Sequence, residues 1–467
     1  MKRRVRLLIV VGLLLILGAL PVWADGSYPA ATFNSPFVIQ NMSTTDPASV
    51  VVEFYDVPTG DLISAATQSF SLEPGRAEPV RPWQISGLPN NAMYSVVISS
   101  DQTLAAVANY QDTPGGDTRA MSAVGFPSGG ESAYCPNITK EYYGWNTPFY
   151  IQNTGDSSTN VTIKFYKFSD GTEVGAAQKV IPLDPGRSYE YDPVDEATLP
   201  GGAQYSVVAT ADPGGTVVGT VAEFVTAGQV EMAYNCFNGG GTSAYLPNIT
   251  KSYFGWDTPF IVQNTGGVDA TLTIKYYDFT TGALVYTVDP APTIGPRMSY
   301  TGRPWQISDS DLPANKQYSV VVESSGPDIV AVVNEQNPLS GSAQAMSYNG
   351  FNSGASSAYL PNLTKSYYGW DTPFIIQNVG GADADVVVKF YDFTTGTEYT
   401  AAQQNISSLG SGRSAPIRPW QIAALDTHKQ YSAVVEATGS TIAVVVNEQW
   451  LYDTSIDQAM AYEGIPK

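Results

Sequence analysis

Past its first two dozen residues the chain consists of short apolar runs separated by polar words rich in glycine and proline. Val161-Thr-Ile-Lys-Phe-Tyr-Lys-Phe168 and Leu272-Thr-Ile-Lys-Tyr-Tyr-Asp-Phe279 place apolar side chains at every second position, the pattern of a strand with one buried face. Residues 50–56 and 386–393 read the same way. Glycine-containing turns follow each of these runs, at Pro58-Thr-Gly60, Ser169-Asp-Gly171, Thr280-Thr-Gly282 and Thr394-Thr-Gly396, which suits hairpins whose glycine takes positive φ. A second kind of run, at 105–111, 217–224, 329–336 and 442–449, is apolar nearly throughout and fits a strand in the middle of a packed sandwich. Long apolar runs at helical spacing are missing after the start, so the chain is predicted to be all-β.

The runs recur in register. AYLPNITKSYFGWDTPFIVQN at 244–264 has near copies at 133–153 and 358–378 and a shortened form at 27–41. The proline of its second strand falls at Pro36, Pro148, Pro259 and Pro373, a period of about 110 residues, which matches a common domain size. Arg76, Arg187, Arg297 and Arg413 follow a tight turn in each unit, and Arg-Pro-Trp-Gln-Ile stands at 81–85, 303–307 and 418–422. The expected division is 1–24, 25–128, 129–239, 240–353 and 354–467. Joints of about six residues leave little separation, so neighbouring units are expected to touch in an elongated row.

In the second half of each unit a leucine, a turn and a Tyr-x-Val-x-Val strand recur, the strand opening on Tyr94, Tyr205, Tyr318 and Tyr431. This resembles the E–F corner of fibronectin type III and immunoglobulin-like domains. The resemblance implies four immunoglobulin-like β-sandwiches in which these tyrosines hydrogen-bond backward to main chain, a structural role. At the level of fold the chain is similar to secreted bacterial-type tandem repeat proteins.

Lys2, Arg3, Arg4 and Arg6 precede an apolar run from Leu7 to Leu20, and Val22-Trp-Ala24 offers small residues at a cleavage site. The segment reads as a secretory signal removed after Ala24, too short for a bilayer span, with no further span behind it. The net charge is −20, and removal of the leader's four cations makes it more negative. Dispersed acidity of this size disfavours nucleic acid and anionic membrane surfaces as partners.

Cys135 and Cys236 both fall in repeat two, one in its first strand and one in its last, and an exported pair of this kind predicts a disulfide. His428 is the only histidine, so no His-dependent triad or multi-His metal site can form. No calcium-loop motif is present, and neither a cofactor, a metal nor a catalytic residue is expected. Repeat two diverges most, with Asp192-Pro-Val-Asp-Glu196 in place of Arg-Pro-Trp-Gln-Ile. Asn334-Glu-Gln336 and Asn447-Glu-Gln449 raise a Lys–Asn isopeptide bond to Lys251 or Lys365, as in some pilins and adhesins. Strand alternation argues against it, because adjacent Asn and Glu face opposite ways. Of six Asn-x-Ser/Thr triplets, Asn137, Asn248 and Asn362 share one repeat position, which favours turn chemistry after the preceding proline over a glycan acceptor there.

Six tryptophans carry the functional question: Trp83, Trp305 and Trp420 in Arg-Pro-Trp, and Trp145, Trp256 and Trp370 in Gly-Trp bends. They either plug ends and joints or stack on sugars. The bends occur only in units that have a predecessor, which favours joints. The expected role is a secreted, non-catalytic structural or adhesive scaffold at the cell surface, partnered by protein or polysaccharide and capable of self-association. The alternative is polysaccharide binding through exposed Trp and Tyr on one face, and a hydrolase is the remote third reading.

Overall fold

The computed structural model describes residues 5–11, 33–112, 119–225, 230–337, 344–450 and 457–467. The expected cleavage site after Ala24 and the rest of the expected leader lie outside them. Among the described residues no helix is long and apolar enough to cross a membrane.

Each repeat is a two-sheet antiparallel sandwich, and repeat two shows the order in full. One sheet runs Ser132–Lys140, Ala203–Ala211, Thr159–Lys167, Lys179–Leu183. The other runs Trp145–Asn146, Val217–Val225, Phe149–Asn153, Ser188–Tyr191, with Glu231–Asn235 also paired to Val217–Val225. Alternation does what the sequence pattern requires: in Thr159–Lys167 the side chains of Val161, Ile163 and Phe165 are buried while their neighbours reach outward. Val217–Val225 is buried along nearly its whole length, because one face meets its own core and the other a neighbouring repeat. The corner strand and the strand after it lie in opposite sheets, a departure from the immunoglobulin order, where both sit in one.

The row is not elongated. Each hairpin glycine meets the arginine of the next repeat: a Cβ on Gly60 would lie 2.7 Å from the Arg187 side chain, one on Gly171 2.5 Å from the Pro296 carbonyl oxygen beside Arg297, and one on Gly282 2.9 Å from Arg413. Repeat four meets repeat one in the same way, with Gly396 against Arg76 at 3.0 Å. A hydroxyl repeats the relation at every joint. Ser95, Ser206, Ser319 and Ser432 donate to the carbonyls of Gly186, Arg297, Gly412 and Gly75 at 2.8, 2.6, 2.6 and 3.2 Å. Four equivalent joints close a ring with pseudo-fourfold symmetry. The apolar layers are continuous across the closing joint, where Val38, Ala77 and Val107 of repeat one join the core of repeat four.

The last strands, Ala120–Val124, Glu231–Asn235, Gln344–Asn349 and Ala459–Glu463, stand side by side around the ring axis. Their starting ends meet: Arg119 pairs with Glu231 at 2.9 Å, and Asp457 accepts from the backbone N–H groups of Glu231 and Ala345 at 2.5 and 2.8 Å. Their finishing ends meet as well, where the Asn349 amide donates to the Asn235 carbonyl at 2.6 Å and the Asn235 amide to the Val124 carbonyl at 2.8 Å. The four strands therefore point the same way along the axis, and the corresponding ends of all four sandwiches share one face of the ring.

Candidate functional site

At the starting face, Tyr-Tyr-Gly-Trp and Tyr-Phe-Gly-Trp words form tight turns. Tyr253 and Trp256 exchange both backbone hydrogen bonds at 3.0 Å, as do Tyr367 and Trp370, and Tyr142 and Trp145 exchange theirs at 3.1 and 3.0 Å. Between them Tyr143, Phe254 and Tyr368 take φ of 51°, 49° and 47°, and Gly144, Gly255 and Gly369 follow at 83°, 87° and 91°. Two successive positive φ values describe a type I′ turn, whose first central position favours Asn, Asp or Gly. An aromatic residue there costs on the order of 1–3 kcal/mol. It also projects outward: Tyr143, Phe254 and Tyr368 are 86, 84 and 81 % exposed. Each leans edge-on against the preceding tyrosine, with ring centroids 4.6 to 4.7 Å apart.

The Arg-Pro-Trp words lie at the same end of the sandwich. Pro82–Gln84, Pro304–Gln306 and Pro419–Gln421 are single 3-10 turns with proline at the first position, where its missing N–H costs nothing. Lys251, just before the Tyr-Phe-Gly-Trp turn, donates to the carbonyls of Ile307 and Leu312, which follow the second of these turns, both at 2.6 Å. Lys365 does the same to Ile422 and Leu425 at 2.8 and 2.7 Å. Trp83, Trp305 and Trp420 are 45, 40 and 37 % exposed. One face of the ring thus carries six partly or fully exposed aromatic side chains, drawn from two repeated words.

The Gly-Trp bends, expected at the joints, pair with the long strand of their own repeat: Trp145 stands opposite Val225 and Trp370 opposite Trp450. Trp256 packs partly buried against the core of repeat three. Hydrogen bonds between repeats come from other residues. Sequence reading missed the main ones, the Asn–Glu–Asn clamps. Glu335 accepts from Asn248 of its own first strand at 2.9 Å and from Asn447 of repeat four at 3.1 Å. Glu223 accepts from Asn137 and from Asn334 of repeat three at 2.8 and 2.9 Å. Glu448 accepts from Asn362 at 2.9 Å and from Asn109 of repeat one at 2.6 Å, across the closing joint. All three glutamates are fully buried, and desolvation pushes their carboxyl groups up to about 8 against the opposing pull of the asparagine donors. Asp457 at the axis is likewise held well above the usual carboxylate range, first by burial.

The lysines and asparagines weighed for an isopeptide bond have different partners: Lys251 and Lys365 cap carbonyls, Asn334 and Asn447 serve the clamps. Asn137, Asn248 and Asn362 are buried, so their triplets present no acceptor for a glycan in the folded chain. The tyrosine hydroxyls of the corner strand donate backward to main chain, Tyr205 to Pro200 at 2.8 Å, Tyr318 to Pro313 at 2.5 Å, Tyr431 to Asp426 at 2.7 Å and Tyr94 to Pro89. In the divergent word of repeat two, Glu196 pairs with Lys179 at 3.1 Å and accepts from the Tyr191 hydroxyl at 3.2 Å. Its carboxyl is drawn down to about 2, the bonds from Thr198 and Lys179 outweighing the upward push of burial. Among the described residues no group of three or more His, Cys, Asp or Glu is placed to hold a metal ion.

Cys135 and Cys236 form a disulfide with Cα atoms 4.5 Å apart, closing a loop of 101 residues within repeat two. Where repeats three and four have Leu246 with Gly350 and Leu360 with Gly464, repeat two has cysteine at both places, so one bond replaces a large-small pair. The double variant C135L/C236G, which restores the pattern of the other repeats, is expected to fold. Relative to the parent it loses at most about 4.7 kcal/mol of loop-closure stabilisation. Urea unfolding with and without reductant checks this, and a reductant effect on the double variant would contradict it.

No family model matches the chain, and no curated protein matches it. Among solved structures, Thermotoga maritima 1070 is similar over 24 % of this chain and 96 % of its own length, with 21 % identity and a TM-score of 0.21. The Anabaena sensory rhodopsin transducer is similar over 20 % of this chain and 92 % of its own, with 21 % identity and a TM-score of 0.16. The pilus backbone RrgB from Streptococcus pneumoniae is similar over 54 % of this chain and 82 % of its own, with 9 % identity and a TM-score of 0.13.

Proposed function

We propose that the chain is an exported, non-catalytic scaffold of the cell surface, a closed ring that holds repeated aromatic side chains on one face for a protein or polysaccharide partner. The observation that carries this reading is the left-handed conformation of Tyr143, Phe254 and Tyr368 at turn tips where they are almost wholly exposed. Neither local propensity nor burial accounts for an aromatic residue at that position, and the same choice is made three times. The expected leader and the acidic balance fit an exported binding scaffold.

The triple variant Y143S/F254S/Y368S is expected to lose capture by intact cells or insoluble polysaccharide to below about a tenth of the parent level, since aromatic anchors dominate such contacts. Its melting temperature should stay close to that of the parent, because exposed substitutions usually change stability by less than about 0.5 kcal/mol. Unchanged capture by the triple variant contradicts the reading. A polysaccharide-specific role is the second reading, supported by the half-exposed indoles of Trp305 and Trp420 at the same end. It is tested by replacing these two with alanine and comparing capture on polysaccharide with capture on cells.

A further inference from the structure

Repeats two, three and four each open on a nine-residue strand of their own, Ser132–Lys140, Ser243–Lys251 and Ser357–Lys365, paired to the corner strand. The shortened opening of repeat one carries no full-length counterpart of that nine-residue stretch. Its place is taken by leader residues Val5–Val11, antiparallel to Tyr94–Ser100. The registers coincide. Val11, Ile9 and Leu7 stand opposite Tyr94, Val96 and Ile98, as Ile138, Cys135 and Ala133 stand opposite Tyr205, Val207 and Ala209.

A glycine makes the same point independently. In repeats three and four the position matching Ile9 is Leu246 or Leu360, and a Cβ on Gly350 or Gly464 would lie 2.6 or 3.0 Å from that leucine's Cδ2. The glycine is thus the space into which a branched aliphatic side chain fits. Repeat one keeps this glycine as Gly125, buried, with its N–H donating to Ala106 at 2.8 Å as Gly350 donates to Ala331 and Gly464 to Val444 at 2.7 Å. Its own opening supplies no such side chain.

We propose that the Tyr94–Ser100 edge of repeat one is a strand-acceptor site for an extended apolar segment, and that its occupant is the chain's own residues 5–11. The leader is then a strand of the folded ring as well as an export signal, and cutting it away leaves an edge that takes an equivalent peptide by β-augmentation. The inference rests on register and on Gly125, not on the aromatic face.

The test uses the full chain with a protease site inserted after Ala24 and cut once the chain has folded. The fragment 1–24 should stay with the ring through gel filtration and exchange with a labelled synthetic peptide spanning residues 3–12. The same peptide carrying Ile9→Asp should bind at least about tenfold more weakly, because it puts a charge at a core register position. Separation of the fragment from a ring that stays folded, with no uptake of labelled peptide, overturns the proposal. So does equal binding of the parent and Ile9→Asp peptides.

Discussion

Replacing Glu335 by leucine is expected to lower the unfolding free energy by roughly 2–6 kcal/mol, because it leaves two buried amide donors without their acceptor at about 1–3 kcal/mol each. The donors are Nδ2 of Asn248 and of Asn447, which reach the same carboxyl from the first strand of repeat three and from the long strand of repeat four. Glu335→Gln should cost less, since it keeps an acceptor oxygen for one asparagine and misplaces a donor toward the other. Because one of the two donors lies across a joint, the loss should couple to Asn447→Ala: the double variant should be less destabilised than the sum of the singles. Urea unfolding of the four proteins measures this. Additive losses would mean that the pair does not act as a unit across the joint.

The same carboxyl groups set an expected pH dependence. Glu223, Glu335 and Glu448 are held up to about 8 in the fold and Glu463 up to about 7, against 4.5 as the ordinary value, with burial the first cause in each. Between the ordinary value and these raised values the folded chain keeps protons that the unfolded chain has shed. Stability must then fall as pH rises through that window and level off above it. The opposite groups act lower: Glu196, drawn down to about 2, and Asp170, Asp278 and Asp392, also lowered, withdraw stability only in acid. The chain is therefore expected to be most stable near about pH 5 and to lose on the order of several kcal/mol by about pH 9. Urea midpoints across that range give the curve. A triple E223Q/E335Q/E448Q variant should flatten it, and an optimum on the alkaline side would contradict the assignment.

Strands, turns and repeats were legible because the forces behind them act over a few residues: alternation for a one-sided strand, glycine for a left-handed turn, a leucine and tyrosine for the corner. The closure of the row was written in the sequence as well, but in a form that needs a three-dimensional reading. An open row of repeats requires end units with altered, polar outer faces. Repeat one instead keeps Gly75, Arg76, Val38 and Val107, and repeat four keeps Tyr391, Gly396 and Ser432, the residues that meet at every internal joint or at its closing equivalent. The Asn-Glu pairs show a different difficulty. Alternation correctly separated Asn334 from Glu335, yet only the ring reveals that the two side chains serve different neighbours, Glu223 behind and Asn447 ahead. The exposed tips of the aromatic turns, Tyr143, Phe254 and Tyr368, were harder to see in the sequence because the tryptophans two residues further along repeat more conspicuously.

Closure is the claim on which the Glu448–Asn109 clamp and the shared face depend, and small-angle scattering of the folded chain tests it most directly. A closed ring of this length should give a radius of gyration of about 23–28 Å and a distance distribution that ends abruptly, whereas four domains in an open row should give about 40 Å with a long tail. The first result is the one predicted; the second would contradict the ring.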